Sequence, residues 1–326
     1  MKFRTEIDIA PWSTPLEYDD NIVCLGSCFA TNIAQRLRKR KFNVVDSPTG
    51  ILFNPASIAH AIESMNSAVN GVEGVDDAMM VELDGRYVNY AFHSSIAGAT
   101  PLEATAAMQR ALECGGDALK SCDLLIVTLG TAWSYVHRES GRVVANCHKQ
   151  PARLFERRLL SVTEVVEALR RIVEGVDSRV LFTVSPVRHI GEGLEDNSLS
   201  KATLRVAVAE VVAKHGDRVA YFPAYEIMMD DLRDYRFYES DMAHPAQQAV
   251  DYIATKFFNA ALSEQTKQRM QQVERVISAM EHRPFNPSGE SYRTFCNKQL
   301  EVIASLHDVD LTEEKEFFER MLQINV

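Results

Sequence analysis

Asn21-Ile22-Val23-Cys24-Leu25-Gly26-Ser27-Cys28-Phe29-Ala30 joins two signals. A short apolar run, Ile22 to Leu25, is cut by a turn glycine. A helical pattern follows, with Phe29, Ile33, Ala34 and Leu37 on one face. Similar runs recur at Leu124–Leu129, Val180–Val184 and Val219–Phe222, with a weaker one at Phe42–Val45. Their apolarity is continuous rather than alternating, which predicts strands buried on both faces, as in a parallel sheet. Helical patterns separate them. One opens at Ser161, whose spacing to Glu164 is that of a capping box, and stops at Gly175. Another spans 198–214, with Leu204, Val208, Val211 and Val212 as its apolar positions. The alternation β-α-β-α predicts an open α/β sheet.

Composition narrows the function classes. The chain has 326 residues, of which 46% are hydrophobic and 25% charged, ordinary values for a globular protein. The formal charge of −10 argues against a sequence-blind grip on nucleic-acid phosphates. The basic run Arg38-Lys39-Arg40-Lys41 complements the negative pole of the helix it ends. No apolar run approaches the ~20 residues of a membrane span. Met1-Lys2-Phe3-Arg4 has no apolar stretch behind it, so a cytoplasmic protein without a secretory signal is expected. Cys24, Cys28, Cys114, Cys122, Cys147 and Cys296 form no CxxC pair and are expected as reduced thiols, with no metal and no cofactor.

In open parallel sheets reactive residues gather at the carboxyl ends of the strands. The first strand ends at Gly26-Ser27, and the glycine permits a turn that presents Ser27 at a helix N-terminus. A serine there also serves as a helix cap. After the last strand come Asp241-Met242-Ala243-His244-Pro245, where a carboxylate three residues before a histidine can fix the imidazole and leave its other nitrogen facing a nucleophile. A capping Asp241 and a surface His244 are the plainer alternative. The chain order Ser27, Asp241, His244 across the first and last strand ends favours a catalytic triad.

Gly26-Ser27-Cys28-Phe29-Ala30, with Phe53-Asn54-Pro55, Thr128-Leu129-Gly130-Thr131, Asn146-Cys147-His148-Lys149, Ser185-Pro186-Val187-Arg188-His189 and Asp241-Met242-Ala243-His244-Pro245, resembles the GSCFA family. That family is similar to the SGNH (GDSL-type) esterases. The resemblance covers about residues 20–260. It implies a three-layer α/β/α fold with a flavodoxin-like, doubly wound parallel sheet, SGNH-hydrolase-like, and a C-terminal helical extension. Ser27 would be the nucleophile, with Asp241 and His244 completing the triad. The second-strand glycine of the pattern corresponds to Gly50, and Asn54 is an alternative from the same loop. The asparagine expected after the third strand is absent, because that strand ends Leu129-Gly130-Thr131. Thr131 or Asn146 would have to serve as the third oxyanion donor.

Residues 1–262 are read as the α/β domain, with an insertion at about 64–122, and 263–326 as the helical extension. That tail is expected to cover the sheet domain or an oligomer interface, and a homo-oligomer is left open. His148 and His189 follow the third and fourth strands, where they line a pocket or make structural hydrogen bonds. Trp133 and Tyr135 offer an aromatic wall for a sugar ring or pack in the core. Arg188, Arg233 and Arg236 are expected to pair with Asp230, Asp231 and Asp234. Cys28 is expected to pack, since one residue's shift on a helix turns its side chain about 100° from that of Ser27. The expected function is hydrolysis or transfer of an O-acyl group on a carbohydrate or small alcohol. The alternative is a non-catalytic binding or scaffold protein that keeps the fold.

Overall fold

The computed structural model describes residues 4–72 and 74–323. Five strands form the main sheet: β1 (Asn21–Gly26), β2 (Asn43–Asp46), β5 (Leu124–Leu129), β9 (Arg179–Val184) and β10 (Val219–Tyr221). Their spatial order is β10-β9-β5-β1-β2. Numbered along the chain, that is 2-1-3-4-5, so the winding direction reverses between β1 and β5. A crevice opens at such a reversal, beyond the strands' carboxyl ends. The pairs β1–β5, β5–β9 and β9–β10 are parallel, with Gly26 opposite Thr128 and Leu129 opposite Val184.

The continuous apolarity of these strands has the expected consequence, burial on both faces. Val23, Leu25, Val127 and Phe182 pack against one helical layer through Ile58, Ile62, Leu112, Leu169, Ile172, Leu204 and Val208. These come from α2 (Pro55–Ala68), α3 (Pro101–Ser121), α4 (Val162–Glu174) and α5 (Leu194–His215). Ile22, Cys24, Leu124, Ile126 and Leu181, on the opposite face, are equally buried. Helices α1 (Cys28–Lys39) and α7 (Gln247–Ala261) complete the three-layer α/β/α arrangement. The reciprocal capping box of Ser161 and Glu164 opens α4, as its spacing predicts.

The stretch 64–122, read as an insertion, carries regular elements of its own. A hairpin of β3 (Met80–Leu83) and β4 (Arg86–Asn89) leads into α3, which runs through Gly115-Gly116. A Cβ at Gly115 would stand 2.1 Å from Met65 Sδ, so a close approach to α2 requires glycine inside a helix. Beyond β5, three short strands, β6 (Trp133–His137), β7 (Val143–Val144) and β8 (Phe155–Leu159), form an antiparallel sheet in the order β7-β6-β8. Ala224–Glu226 forms a one-turn helix, α6, that continues as π-helix to Leu232.

The chain divides into two compact units. The first comprises Met1–Asp8, Asn21–Ala34 and Val44–Ala254, and holds the sheet. The second comprises Ile9–Asp20, Gln35–Asn43 and Thr255–Val326. Within it lie α8 (Glu264–Met280), α9 (Glu290–Ser305) and α10 (Thr312–Gln323), around buried Val273, Val276, Cys296 and Phe318. The ring of Tyr18 stacks on Phe42 at 4.3 Å, and Lys41 pairs with the buried Glu314 at 2.8 Å. The helical tail therefore shares its unit with two segments from early in the chain.

Candidate active site

Gly26 ends β1 with φ +122°, and a Cβ there would stand 2.1 Å from the Thr128 carbonyl oxygen. Only glycine lets the chain turn so sharply against β5. Ser27 follows as the residue before α1 and is 1% exposed. Its N–H donates to Thr128 O at 3.0 Å, and its Oγ accepts the Phe29 N–H at 3.3 Å. The hydroxyl proton remains available to a base. Next to it, burial foremost pushes the Cys28 thiol pKa up, against the lowering pull of nearby backbone N–H groups and Lys201.

Asp241 and His244 sit on the loop ahead of α7. Asp241 Oδ2 lies 2.6 Å from His244 Nδ1, and Oδ1 accepts the N–H groups of His244 at 3.0 Å and Ala243 at 2.9 Å. Those backbone donors, the His244 N–H foremost, and the imidazole hold the Asp241 carboxyl down at about 2. Both side chains are about half exposed. Among the described residues, no hydrogen bond joins His244 to Ser27 Oγ.

His189 connects the loop to the crevice. It lies within electrostatic reach of His244 and of Lys201, and the Gly130 backbone just past β5 acts on its ring in the opposite, pKa-raising sense. Burial foremost, with the electrostatic influence of Lys201 and His244, pushes its pKa down to about 4, so it is a neutral imidazole near pH 7.

The remaining sequence candidates are engaged by their own fold. Gly50, at φ +82°, donates its N–H to Ser47 O at 2.7 Å, with His93 packed where a Cβ would stand. Asn54 caps α2: its Oδ1 accepts the Ser57 N–H at 2.8 Å. The N–H groups of Gly130 and Thr131 both donate to Phe53 O, at 2.8 and 3.0 Å. Thr131 Oγ1 is 2.9 Å from Ser200 Oγ. Asn146 bonds Ser94 Oγ through Nδ2 and the His148 N–H through Oδ1. His148 is buried with both ring nitrogens bonded, to Ser94 Oγ at 3.1 Å and to Asn89 O at 2.8 Å.

A cavity of about 420 Å³ opens beside His189, with walls from Phe53, Trp133, Tyr135, Phe155, Asn146 and Gln150. No charged side chain lines it. The Arg157 guanidinium covers one face of Trp133 at 3.6 Å from the ring centroid.

Arg233 pairs with Asp230 and Arg236 with Asp234, as their spacing suggests. Arg188 departs from that reading. Its guanidinium stacks over Tyr238 at 4.3 Å and Tyr235 at 5.2 Å, while its backbone N–H donates to Ala243 O at 3.0 Å. Aromatic faces brought up by the loop take the place of a carboxylate.

The sequence reading found the helix now seen as α5 but not what its first turns hold. They bind the segments that follow β5 and β9. Asn197 Oδ1 accepts the His189 N–H at 3.0 Å. Ser200 Oγ accepts the Ala132 N–H at 2.7 Å. Lys201 Nζ donates to Gly130 O at 2.7 Å and Ser185 O at 2.8 Å. Spacings of three and four residues place these side chains on one helix face, the one signal that pointed here.

The Gly26–Ala30 turn lies at the winding reversal, and Asp241 and His244 are hydrogen-bonded to each other on the loop before α7. The chain belongs to the GSCFA family. The GSCFA family model matches residues 21–257, and the model of the GSCFA domain protein, C-terminal domain, matches 273–324. No curated protein and no solved structure matches this GSCFA chain. Among the described residues, no group of three or more His, Cys, Asp or Glu is placed to hold a metal ion. No helix among them is long and apolar enough to cross a membrane.

Proposed function

We propose that this GSCFA protein is an SGNH-like serine hydrolase or acyltransferase acting on an O-acyl ester of an uncharged alcohol or sugar. The observation that carries the reading is the Asp241–His244 pair, with a carboxylate bound to both the ring and the backbone of one histidine. Ser27 stands at a helix N-terminus on the switch side of β1, the position a nucleophile takes in this architecture. The strand order 2-1-3-4-5 agrees with a flavodoxin-like, SGNH-type sheet.

In this mechanism the loop brings His244 Nε2 to Ser27 Oγ, a contact that tightens with substrate bound. Ser27 Oγ attacks the acyl carbon as its proton passes to His244. The tetrahedral intermediate collapses, the alcohol oxygen leaves with that proton, and the acyl group stays on Ser27. Water or a second alcohol then takes the acyl group by the reverse sequence. The uncharged, aromatic cavity suits a neutral ring or a short acyl chain.

A second reading, a non-catalytic binding protein, draws support from the oxyanion donors. The N–H groups of Ser27, Gly50 and Thr131 all serve bonds within the protein. A panel of p-nitrophenyl esters and acetylated sugars separates the two. Turnover lost in both Ser27→Ala and His244→Gln supports the hydrolase. Binding of a sugar ester without turnover supports the second reading.

A further inference from the structure

Lys201 is 1% exposed, among the largest fully buried side chains of the protein. Among the described residues no carboxylate acts on it, and the Cys28 thiol on α1 lies within electrostatic reach of its ammonium. His189 faces it from the loop after β9, and the Tyr225 ring of α6 lies 5.9 Å from Nζ. Taking an unpaired cation out of water is costly, and an apolar side chain of the same size commonly does as well or better for stability. Packing alone therefore does not explain a lysine here.

Its hydrogen bonds do. Gly130 and Ser185 are the first residues past β5 and β9. Their carbonyls accept from one Nζ, and Thr131, next after Gly130, and His189, four residues past Ser185, are cavity walls. Resting on the strand-end site proposed above, we propose that Lys201 is its positioning residue, clasping the Gly130 and Ser185 carbonyls so that both loops keep one separation and setting a positive charge against His189.

A cation at that place opposes a second one on the His189 ring. A neutral imidazole carries its proton on one ring nitrogen and keeps the other as an acceptor. That acceptor suits a substrate hydroxyl in a cavity without charged walls, which points to hydroxyl-bearing esters. Lys201 itself is buried to about 7, so its charge changes near neutrality and the neutral amine still has two N–H donors for two carbonyls.

The test reads His189 rather than turnover, so it fails separately from the hydrolase assignment. Histidine-labelled full-length protein is titrated by NMR, with His189 assigned through His189→Gln. In the wild type His189 stays neutral well below the ordinary histidine range and shows a second, smaller inflection as Lys201 loses its proton. In Lys201→Met its midpoint rises by about one unit or more, a tenfold gain in proton affinity, while His148 is unmoved. Lys201→Gln, which keeps two N–H donors without the charge, shows the same rise and carries the test if the Met variant does not fold. An unchanged His189 midpoint in the folded variants overturns the proposal. So does an equal shift at His148, the mark of a purely structural strut.

Discussion

Asp241 binds His244 twice: Oδ1 accepts its backbone N–H at 3.0 Å, and Oδ2 stands 2.6 Å from Nδ1. One carboxylate thus fixes both the chain direction and the ring of the same residue. Because the carboxyl is held at about 2, it stays charged across any working pH. With both side chains half exposed, the pair contributes orientation rather than stability. Nε2, on the far side of the ring, is left to meet a nucleophile.

Asp241→Asn should therefore spare the fold and damage catalysis. The amide can hold the ring in the wrong tautomer, and a loss of up to roughly four orders of magnitude in kcat is the scale for a triad. Steady-state kinetics beside a thermal melt reads both. A variant with wild-type rates would remove Asp241 from the mechanism.

Cys28→Ala should leave turnover within about twofold, since burial raises the thiol pKa and suppresses the reactive thiolate. Iodoacetamide should spare activity for the same reason. Inactivation by iodoacetamide together with tolerance of Ser27→Ala would move the nucleophile one residue on.

The acid and alkaline limbs of stability have defined signs. His189 titrates at about 4 in the folded protein. As pH falls from its ordinary value of about 6.5, the unfolded chain takes the proton first and stability drops. Lys201, at about 7, binds fewer protons folded than unfolded above that pH, so its contribution makes stability rise as pH increases. Buried thiols, Cys147 at about 11 among them, act in the opposite sense above their ordinary pKa of about 8.5. Denaturant melts of the wild type and Lys201→Met between about pH 7 and 8.5 isolate the lysine. The wild type should gain about 1–2 kcal/mol relative to the variant across that window. A constant difference would contradict the buried cation.

A chain ending at 262 should be insoluble. Ile9–Asp20 and Gln35–Asn43 form one unit with the residues after 255, and the cut removes the partners of Lys41 and Arg40, Glu314 and Glu274. Exposed apolar surface of that kind drives association. A soluble, cooperatively folding fragment would show that the sheet domain stands without its tail.

The main sheet and its helices were legible because their signals are local. Continuous apolar runs became β1, β5, β9 and β10, and Ser161 with Glu164 marked the start of α4. The helix read at 198–214 begins earlier, at Leu194, since its first turns bury Asn197, Ser200 and Lys201 instead of an apolar stripe. That inversion also hid Lys201: a lysine on a helix ordinarily reads as solvated, and only the carbonyls of two distant strand ends give it a place inside. The stretch 64–122 was read only as an insertion, and the packing of Gly115 on Met65 that lets α3 lie against α2 comes from another element. Arg188 was assigned to the carboxylates of Asp230, Asp231 and Asp234, whereas the rings of Tyr235 and Tyr238 take it. Asp241 and His244, three residues apart, needed no long-range information to be recognised as a pair.

The central claim is that Ser27 is a nucleophile activated by His244. Labelling with a fluorophosphonate, followed by peptide mass spectrometry of the adduct, tests it most directly. One covalent phosphonyl group is expected on Ser27, absent from Ser27→Ala and strongly reduced in His244→Gln. No adduct on the folded protein, under conditions that fully label a control serine hydrolase, would contradict it. An adduct that persists in Ser27→Ala would do the same.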